Sequence, residues 1–183
     1  MRGYDMIFLD RDGTLNPDPG YIARLEDYHF YDFTMEALKL LAEKGQRFCL
    51  ITNQSGIARG IIKQVDLDAI HAYIQKAFAE YAIPLYNIYF CTDHPDRATE
   101  FRKPGKGMFL KAARDFNLCL KDCLMIGDSR NDIEAGFNLG LDTMLVLTGA
   151  GLKTEAVLSG QILPTFTAKN LLEGAKYLVE IIE

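Results

Sequence analysis

The chain is predicted to form a single α/β domain, residues 1–183, around a mainly parallel β-sheet. Short apolar runs alternate along the sequence with longer amphipathic stretches, which is the pattern of strands joined by crossover helices. No internal repeat, low-complexity segment or linker interrupts this alternation. The length is also that of one ordinary domain.

The first half of the chain supplies the opening elements of this pattern. The apolar run that ends at Asp10 predicts a strand over 4–10. A helix is expected over 34–45, where Thr34 can cap the first turn and Gly45 suits the position after the last one. Period-two and period-3.6 patterns then predict a strand over 46–52, a helix over 66–81 and a strand over 85–91.

The second half continues the alternation. The predicted elements are a helix over 107–116, a strand over 122–128, a helix over 131–140, a strand over 143–148, a short strand near 164–167 and a helix over 170–182. Residues 11–33 show no clear pattern and directly follow the first strand. Loops of that length in a compact domain are usually functional or poorly ordered, so this segment is a candidate part of a site.

Composition and charge narrow the possible partners. A net charge of −5 argues against a general binder of nucleic acid or of membrane surfaces. No apolar run approaches the roughly 20 residues of a membrane span, and the apolar stretch at the N-terminus is too short for a signal peptide. We therefore expect a cytoplasmic, monomeric protein. The four cysteines form no CxxC pair and are expected to be free thiols.

Polar side chains stand where several predicted strands end. Asp10 ends the first strand, Thr52 and Asn53 the second, and Asp128 the fourth, while Lys103 follows the third. Carboxyl ends of parallel strands share one edge of the sheet, where ligands gather. Helix capping would explain any one of these positions but not all of them together.

The charges at this edge indicate a metal. Two carboxylates about 4 Å apart repel by roughly 4 kcal/mol at an effective dielectric constant of 20, so Asp10, Asp12 and Asp128 need a cation. Oxygen ligands without thiolate or imidazole favour Mg²⁺, which commonly serves phosphate. Lys103 and the hydroxyl of Thr52 fit a phosphate. An aspartate can attack phosphorus and a second can act as acid and base.

These residues occur in motifs that identify a family. FLDRDGTLN, ITNQSG, Lys103 and IGDSRND follow one another in the order typical of the haloacid-dehalogenase-like (HAD) phosphatases, over residues 4 to about 148. The resemblance implies a three-layer Rossmann-like fold without a large cap domain. DRDGTLN, TNQSGIARG and RKP are most similar to the D-glycero-D-manno-heptose 1,7-bisphosphate phosphatases and, less closely, to histidinol-phosphate phosphatases.

The resemblance also implies roles. Asp10 would be the nucleophile and Asp12 the acid/base, with Mg²⁺ held by Asp10, Asp128 and the backbone carbonyl of Asp12. The transferring phosphoryl group would be held by Thr52, Asn53 and Lys103. Asp132 would contact the residues of the site without itself binding the metal. The expected substrate is a small phosphorylated metabolite, most simply a sugar bisphosphate, and its expected contacts are Asp18, Tyr21, Gln54, Ser55, Arg59 and Arg102. For Arg59 a surface role is an equal alternative.

One segment departs from the heptose enzymes. They carry a zinc loop before RKP, whereas this chain reads CTDHP and TEFRKP there. Only Cys91 matches a ligand, because Asp93, Thr99 and Phe101 occupy the other three positions. One ligand of four cannot form a tetrahedral site, so no zinc is expected. The substrate therefore stays open among heptose bisphosphate, histidinol phosphate and other small metabolites.

Three rival functions fit less well. A receiver-like signalling module would place its phosphorylated aspartate at the end of the third strand, where Cys91 stands. A catalytically inactive binding module would not need the full set of catalytic residues. A nucleic-acid 3′-phosphatase would be expected to carry a basic groove, which the net charge of −5 disfavours.

Overall fold

The computed structural model describes residues 3–158, 160 and 162–182. Its strands are β1 (Met6–Leu9), β2 (Phe48–Asn53), β3 (Leu85–Cys91), β4 (Cys123–Gly127), β5 (Asp142–Val146) and β6 (Phe166–Ala168). They form one sheet in the order β3-β2-β1-β4-β5-β6, in which every neighbouring pair is parallel. The predicted α/β fold is therefore confirmed.

Helices connect the strands. They are α1 (Thr34–Glu43), α2 (Gln64–Glu80), α3 (Gly107–Phe116), α4 (Arg130–Leu139), α5 (Gly151–Val157) and α6 (Leu171–Ile181). Short 3-10 turns lie at Leu25–Asp27, Pro95–Arg97 and Leu120–Asp122. Among the described residues, no helix combines the length and the apolar character that crossing a membrane requires.

Helices cover both faces of the sheet, so its central strands are buried on both sides. Ile7 and Leu9 of β1 face a core that also contains apolar residues of α1, α2 and α6. Met6 and Phe8 alternate with them and face a second core, built with α3 and α4. Strands covered on both faces read as continuous apolar runs, which is what β1, β2 and β4 show. This is the three-layer arrangement that the motifs imply.

Two regions differ from the sequence-based expectations. Helix α5 was not predicted. Only Gly151 and Thr154 of this helix are buried, so its sequence contains no apolar stripe that would indicate a helix. Residues 11–33 contain a 3-10 turn, and Leu15, Ile22 and Tyr28 are buried in the first core. The long segment after β1 is thus anchored to the domain through its apolar side chains.

The strand order positions the site. Strand β1 lies between β2 and β4, and all three run in the same direction. Their carboxyl ends therefore bring Asp10, Thr52 and Asp128 to one edge of the sheet, although these residues are far apart in the sequence.

Candidate active site

A cavity of about 230 Å³ opens at this edge of the sheet. Of the predicted site residues, the structure brings eleven to its lining: Asp10, Asp12, Asp18, Tyr21, Thr52, Asn53, Gln54, Ser55, Arg102, Lys103 and Asp128. Arg59 is exposed and does not line this cavity, so the structure gives no support to its predicted substrate contact. Ser129 and Asn131 also line it. Sequence reasoning did not single them out, although both lie within the IGDSRND motif.

Lys103 lies at the bottom of the cavity and is 3% exposed. Its Nζ donates to Asp10 Oδ1 at 2.8 Å, to Asp132 Oδ1 at 2.6 Å and to the backbone carbonyl of Ile51 at 2.5 Å. Burial alone would lower the pKa of Lys103, but the two carboxylates outweigh burial and raise it. The lysine is therefore a fixed positive charge. We call Asp10, Lys103, Asp128 and Asp132 the floor.

Asp10 and Asp128 of the floor hold protons more strongly than usual, because the pKa of each is raised. Burial, and then the charges of neighbouring carboxylates, raise the pKa of Asp128 to about 8. Burial also raises the pKa of Asp10 to about 7, although Lys103 opposes this increase. A bound cation would favour the ionised forms of both carboxylates, because it offsets the cost of their burial and their mutual repulsion.

The floor fits a divalent metal ion with oxygen ligands. Asp10, Asp128 and Asp132 each offer a carboxylate oxygen within 4.8 Å of the others. Asp132 is already engaged, because one oxygen accepts from Lys103 and the other accepts from the backbone N–H and the hydroxyl of Ser129. This leaves Asp10 and Asp128 as the carboxylates best placed to bind a metal, with Asp132 behind them. The donor set suits Mg²⁺ rather than a soft metal.

Two glycines give Asp128 its space. A Cβ at Gly13 or at Gly149 would lie 2.0 Å or 2.2 Å from Asp128 Oδ2, and both glycines have positive φ. The same oxygen accepts a hydrogen bond of 2.7 Å from the backbone N–H of Ala150. The carboxylate is therefore fixed by backbone on both sides, which explains the glycine that follows Asp12 in the DGT motif.

Asp12 has the opposite electrostatic surroundings. Arg11 donates to both of its carboxylate oxygens, from Nε at 3.0 Å and from Nη2 at 2.7 Å. Asn16 and Gln54 each add a further hydrogen bond of 2.9 Å. Burial would raise the pKa of Asp12, but Arg11 and these hydrogen bonds outweigh it and lower the pKa. Asp12 is therefore an ionised carboxylate in this state.

Arg11 and Gln54 were not assigned these positions from the sequence. Arg11 is fully buried, whereas a charged residue in a loop is usually exposed. The available signal was its place between two aspartates of one motif. Gln54 was expected to touch the substrate; it does line the cavity, but its amide bridges Asp12 and the hydroxyl of Thr52, with both distances 2.9 Å.

Asn53 connects β2 to the lysine. Its side-chain amide donates to the backbone carbonyl of Lys103 and accepts from the backbone N–H of Lys103, both at 3.0 Å. The peptide bond from Lys103 to Pro104 is cis. The Asn53 side chain therefore holds the loop that carries Lys103, and its predicted role in holding phosphate stays a prediction.

Two loops contribute to the side of the cavity: residues 18–21 line it through Asp18, Gly20 and Tyr21, and residues 93–102 reach it at Arg102. We call these two loops the wall. In the second loop, Asp93 Oδ2 accepts from the backbone N–H of Thr99 at 2.7 Å and from its hydroxyl at 2.6 Å. The backbone carbonyl of Asp93 accepts from Arg102 Nη1 at 3.3 Å. Hydrogen bonds thus close the loop between two positions that the heptose enzymes fill with zinc ligands. The expectation of no zinc stays a prediction.

Comparisons with known proteins agree with this geometry. A family model described as HAD-hydrolase-like matches residues 100–174. The chain is 40% identical to the D-glycero-beta-D-manno-heptose-1,7-bisphosphate 7-phosphatase of Helicobacter pylori, over 81% of this chain and 86% of that protein. It is 38% identical to the alpha-anomer enzyme of Campylobacter jejuni, over 77% of this chain and 81% of that protein.

A solved structure is similar over nearly the whole length. The D,D-heptose 1,7-bisphosphate phosphatase of B. bronchiseptica, complexed with magnesium and phosphate, has a TM-score of 0.89 and 31% sequence identity, with 99% of each chain covered. The resemblance seen in the sequence motifs is confirmed by both kinds of comparison. The chain therefore belongs to the HAD-like phosphatase family that includes the D-glycero-D-manno-heptose-1,7-bisphosphate 7-phosphatases.

Proposed function

We propose that this protein is a Mg²⁺-dependent phosphatase that removes the 7-phosphate of D-glycero-D-manno-heptose 1,7-bisphosphate through an aspartyl-phosphate. The observation that carries the proposal is the pairing of Asp10 with Lys103 at the bottom of a cavity that Asp12 and Arg102 also line. The similarity to heptose bisphosphate phosphatases supports this choice of substrate.

The floor would hold the reacting phosphoryl group. Asp10, Asp128 and the backbone carbonyl of Asp12 would bind Mg²⁺, which supplies positive charge to the phosphoryl oxygens and offsets the repulsion between the carboxylates. Lys103 would add a second positive charge, and the hydroxyl of Thr52 a hydrogen bond. These groups are preorganised, because burial and hydrogen bonds already fix them before a ligand enters.

Two displacements at phosphorus complete the reaction. In the first, a carboxylate oxygen of Asp10 bonds to phosphorus while the bond from phosphorus to the sugar oxygen breaks, and Asp12 gives that oxygen a proton. In the second, water gives a proton to Asp12 and bonds to phosphorus, and the bond to Asp10 breaks. Phosphate leaves, Asp10 is again a free carboxylate, and Asp12 again carries the proton that it held at the start of the first step.

The acid role of Asp12 depends on the bound substrate. Arg11 keeps the pKa of Asp12 low in the free protein, which suits the base of the second step. The first step needs the protonated form. An anionic phosphate beside Asp12 disfavours its negative charge, so substrate binding raises its tendency to hold a proton.

The wall would select the substrate. Arg102 lines the cavity beside Lys103 and can meet the second phosphate of a sugar bisphosphate. Similar enzymes are named for both the alpha and the beta anomer, so the anomer preference is an outcome of the test. The cytoplasmic location and the monomeric state stay predictions.

Phosphate release tests the proposal directly. The panel contains both anomers of heptose 1,7-bisphosphate, the corresponding monophosphates and histidinol phosphate, each assayed with and without Mg²⁺. We expect a heptose bisphosphate to exceed simple monophosphates at least about tenfold in kcat/KM, or roughly 1.4 kcal/mol. Equal values would reject the heptose assignment, and a clear preference for histidinol phosphate would replace it with that substrate.

A further inference from the structure

We infer that Arg11 is a positioning residue for leaving-group protonation, which acts through Asp12 without touching the substrate. The inference rests on the proposed phosphatase function and deepens it. Arg11 does not line the cavity, whereas Asp12 does. Any effect of Arg11 on the chemistry must therefore pass through another group.

The side chain of Arg11 is buried although it carries a charge. It is the largest side chain of the described residues that is completely buried. A buried charge is costly unless it is paired and hydrogen-bonded. Among the described residues, the carboxylate of Asp12 is its ion-pair partner, and the ring of Tyr28 lies 5.8 Å from the guanidinium carbon. A lysine could balance the charge, but only the planar guanidinium can reach both oxygens at once.

Arg11 fixes the orientation of the Asp12 carboxylate. Each oxygen accepts two hydrogen bonds: Oδ1 from Arg11 Nε and Asn16 Nδ2, and Oδ2 from Arg11 Nη2 and Gln54 Nε2. The side chain of Asp12 is nevertheless 21% exposed and faces the cavity. A carboxylate held in this way presents one fixed direction to a leaving oxygen, which is the geometric requirement of general acid catalysis.

The same hydrogen bonds connect the acid/base to the phosphate site. Arg11 Nη2 also donates to Gln54 Oε1 at 3.1 Å, and the Gln54 amide donates to the hydroxyl of Thr52. Gln54 Nε2 thus joins the Asp12 carboxylate to the Thr52 hydroxyl, and Arg11 supports this link by holding the oxygen of the same amide.

Leaving-group dependence separates positioning from structure. Arg11→Lys keeps the charge and removes the two-pronged contact. With a poor leaving group, such as heptose bisphosphate or glycerol phosphate, we expect kcat to fall about 30-fold. With p-nitrophenyl phosphate, whose leaving oxygen needs no proton, we expect a loss below about threefold and little change in KM.

Arg47→Lys is the matched control. Arg47 is partly buried, donates to the backbone carbonyl of Asp5 and lies near the ring of Tyr86; like Arg11 it does not line the cavity, but it has no contact with Asp12. It should leave both rates within about twofold of wild type, as expected for a site away from the chemistry. If Arg11→Lys proves too unstable to purify, Asn16→Ala removes one donor from Asp12 and should show the same pattern at smaller size.

The outcomes distinguish a failure of the Arg11 role from a failure of the phosphatase function. Equal losses with both leaving groups, or no loss with either, would overturn the role of Arg11 while the phosphatase function stands. Wild-type protein that releases no phosphate from any ester in the presence of Mg²⁺ would instead overturn the proposed function. A selective loss with poor leaving groups in Arg11→Lys that is absent from Arg47→Lys supports the inference.

Discussion

Arg102 and Lys103 are consecutive residues, yet they belong to two different environments. Lys103 is 3% exposed and contacts two carboxylates of the floor. Arg102 is half-buried in the wall and contacts a backbone carbonyl at 3.3 Å. The floor lies at the carboxyl ends of β1 and β4 and buries one lysine among three carboxylates, whereas the wall consists of loops whose hydrogen bonds are reachable by water. The difference is consistent with our proposal that the floor performs the common chemistry and the wall selects the substrate.

The largest expected effect comes from the floor. Asp10→Asn should lower kcat by more than about 10⁴-fold for every phosphate ester, because the amide cannot attack phosphorus. Phosphate release measures the loss, and circular dichroism checks that the fold survives. A variant that retains a tenth of the wild-type rate would remove Asp10 from the nucleophile role and end the comparison as stated.

Removing the positive charge of the floor should affect both stability and turnover. Lys103→Met leaves Asp10 and Asp132 without their buried partner, and breaking such a pair costs about 3 kcal/mol or more. Urea unfolding without metal measures the change. An unfolding free energy within about 0.5 kcal/mol of wild type would show that the lysine is not needed to balance the floor.

The response to Mg²⁺ should depend on pH. The raised pKa values of Asp10 and Asp128 stabilise the metal-free protein fully only below the ordinary aspartate pKa of about 3.9, and this contribution declines until the pH has passed about 7 and about 8. Mg²⁺ competes with the protons on these two groups, so it should bind and stabilise more strongly in alkaline solution.

Thermal unfolding with and without Mg²⁺ measures this effect. At one fixed concentration, about 100 times the dissociation constant at pH 8.5, Mg²⁺ should stabilise the protein by about 2.7 kcal/mol near pH 8.5 and by clearly less near pH 6, where its affinity is lower. Asp128→Asn provides the control, since it should remove most of the difference. Equal stabilisation at the two pH values would contradict a metal site at the floor.

The smallest expected effect comes from the wall. Arg102→Ala should reduce the preference for a bisphosphate over its monophosphate by about tenfold, or roughly 1.4 kcal/mol in kcat/KM. Hydrolysis of p-nitrophenyl phosphate should change much less, because that ester has no second phosphate. If both substrates lose activity equally, Arg102 serves the reacting phosphate and the distinction between floor and wall fails at this residue.

The sequence predicts the floor better than the wall for a physical reason. Asp10 and Asp128 stand at the ends of apolar strands, and a parallel sheet brings such ends to one edge whatever the loops do. The wall depends on how loops 18–21 and 93–102 fold back, which no periodicity encodes. The hydrogen bonds from Thr99 to Asp93 close the second loop, yet the sequence marked these residues only as departures from a zinc site and did not predict that they pair.

Helix α5 and the burial of Arg11 are two further features that sequence patterns did not predict. Helix α5 has Leu152 and Val157 exposed at 65% and 59%, so its apolar residues do not mark a buried face. The burial of Arg11 follows from the partners that the fold brings to it, including Gln54, which is 43 positions away in the sequence. Local sequence contains neither fact, whereas strand patterns and motif order were sufficient for the sheet and the carboxylates.

The ion pairs of Lys103 have a consequence for how the protein folds. They join the lysine to Asp10, 93 positions earlier, and to Asp132, 29 positions later. Contacts between such distant segments require the closure of long loops and therefore form slowly compared with helices. Hydrolytic activity should thus return only when β1, β2 and β4 have aligned, later than the recovery of helical signal. The recovery of turnover during refolding would therefore report when the sheet is complete.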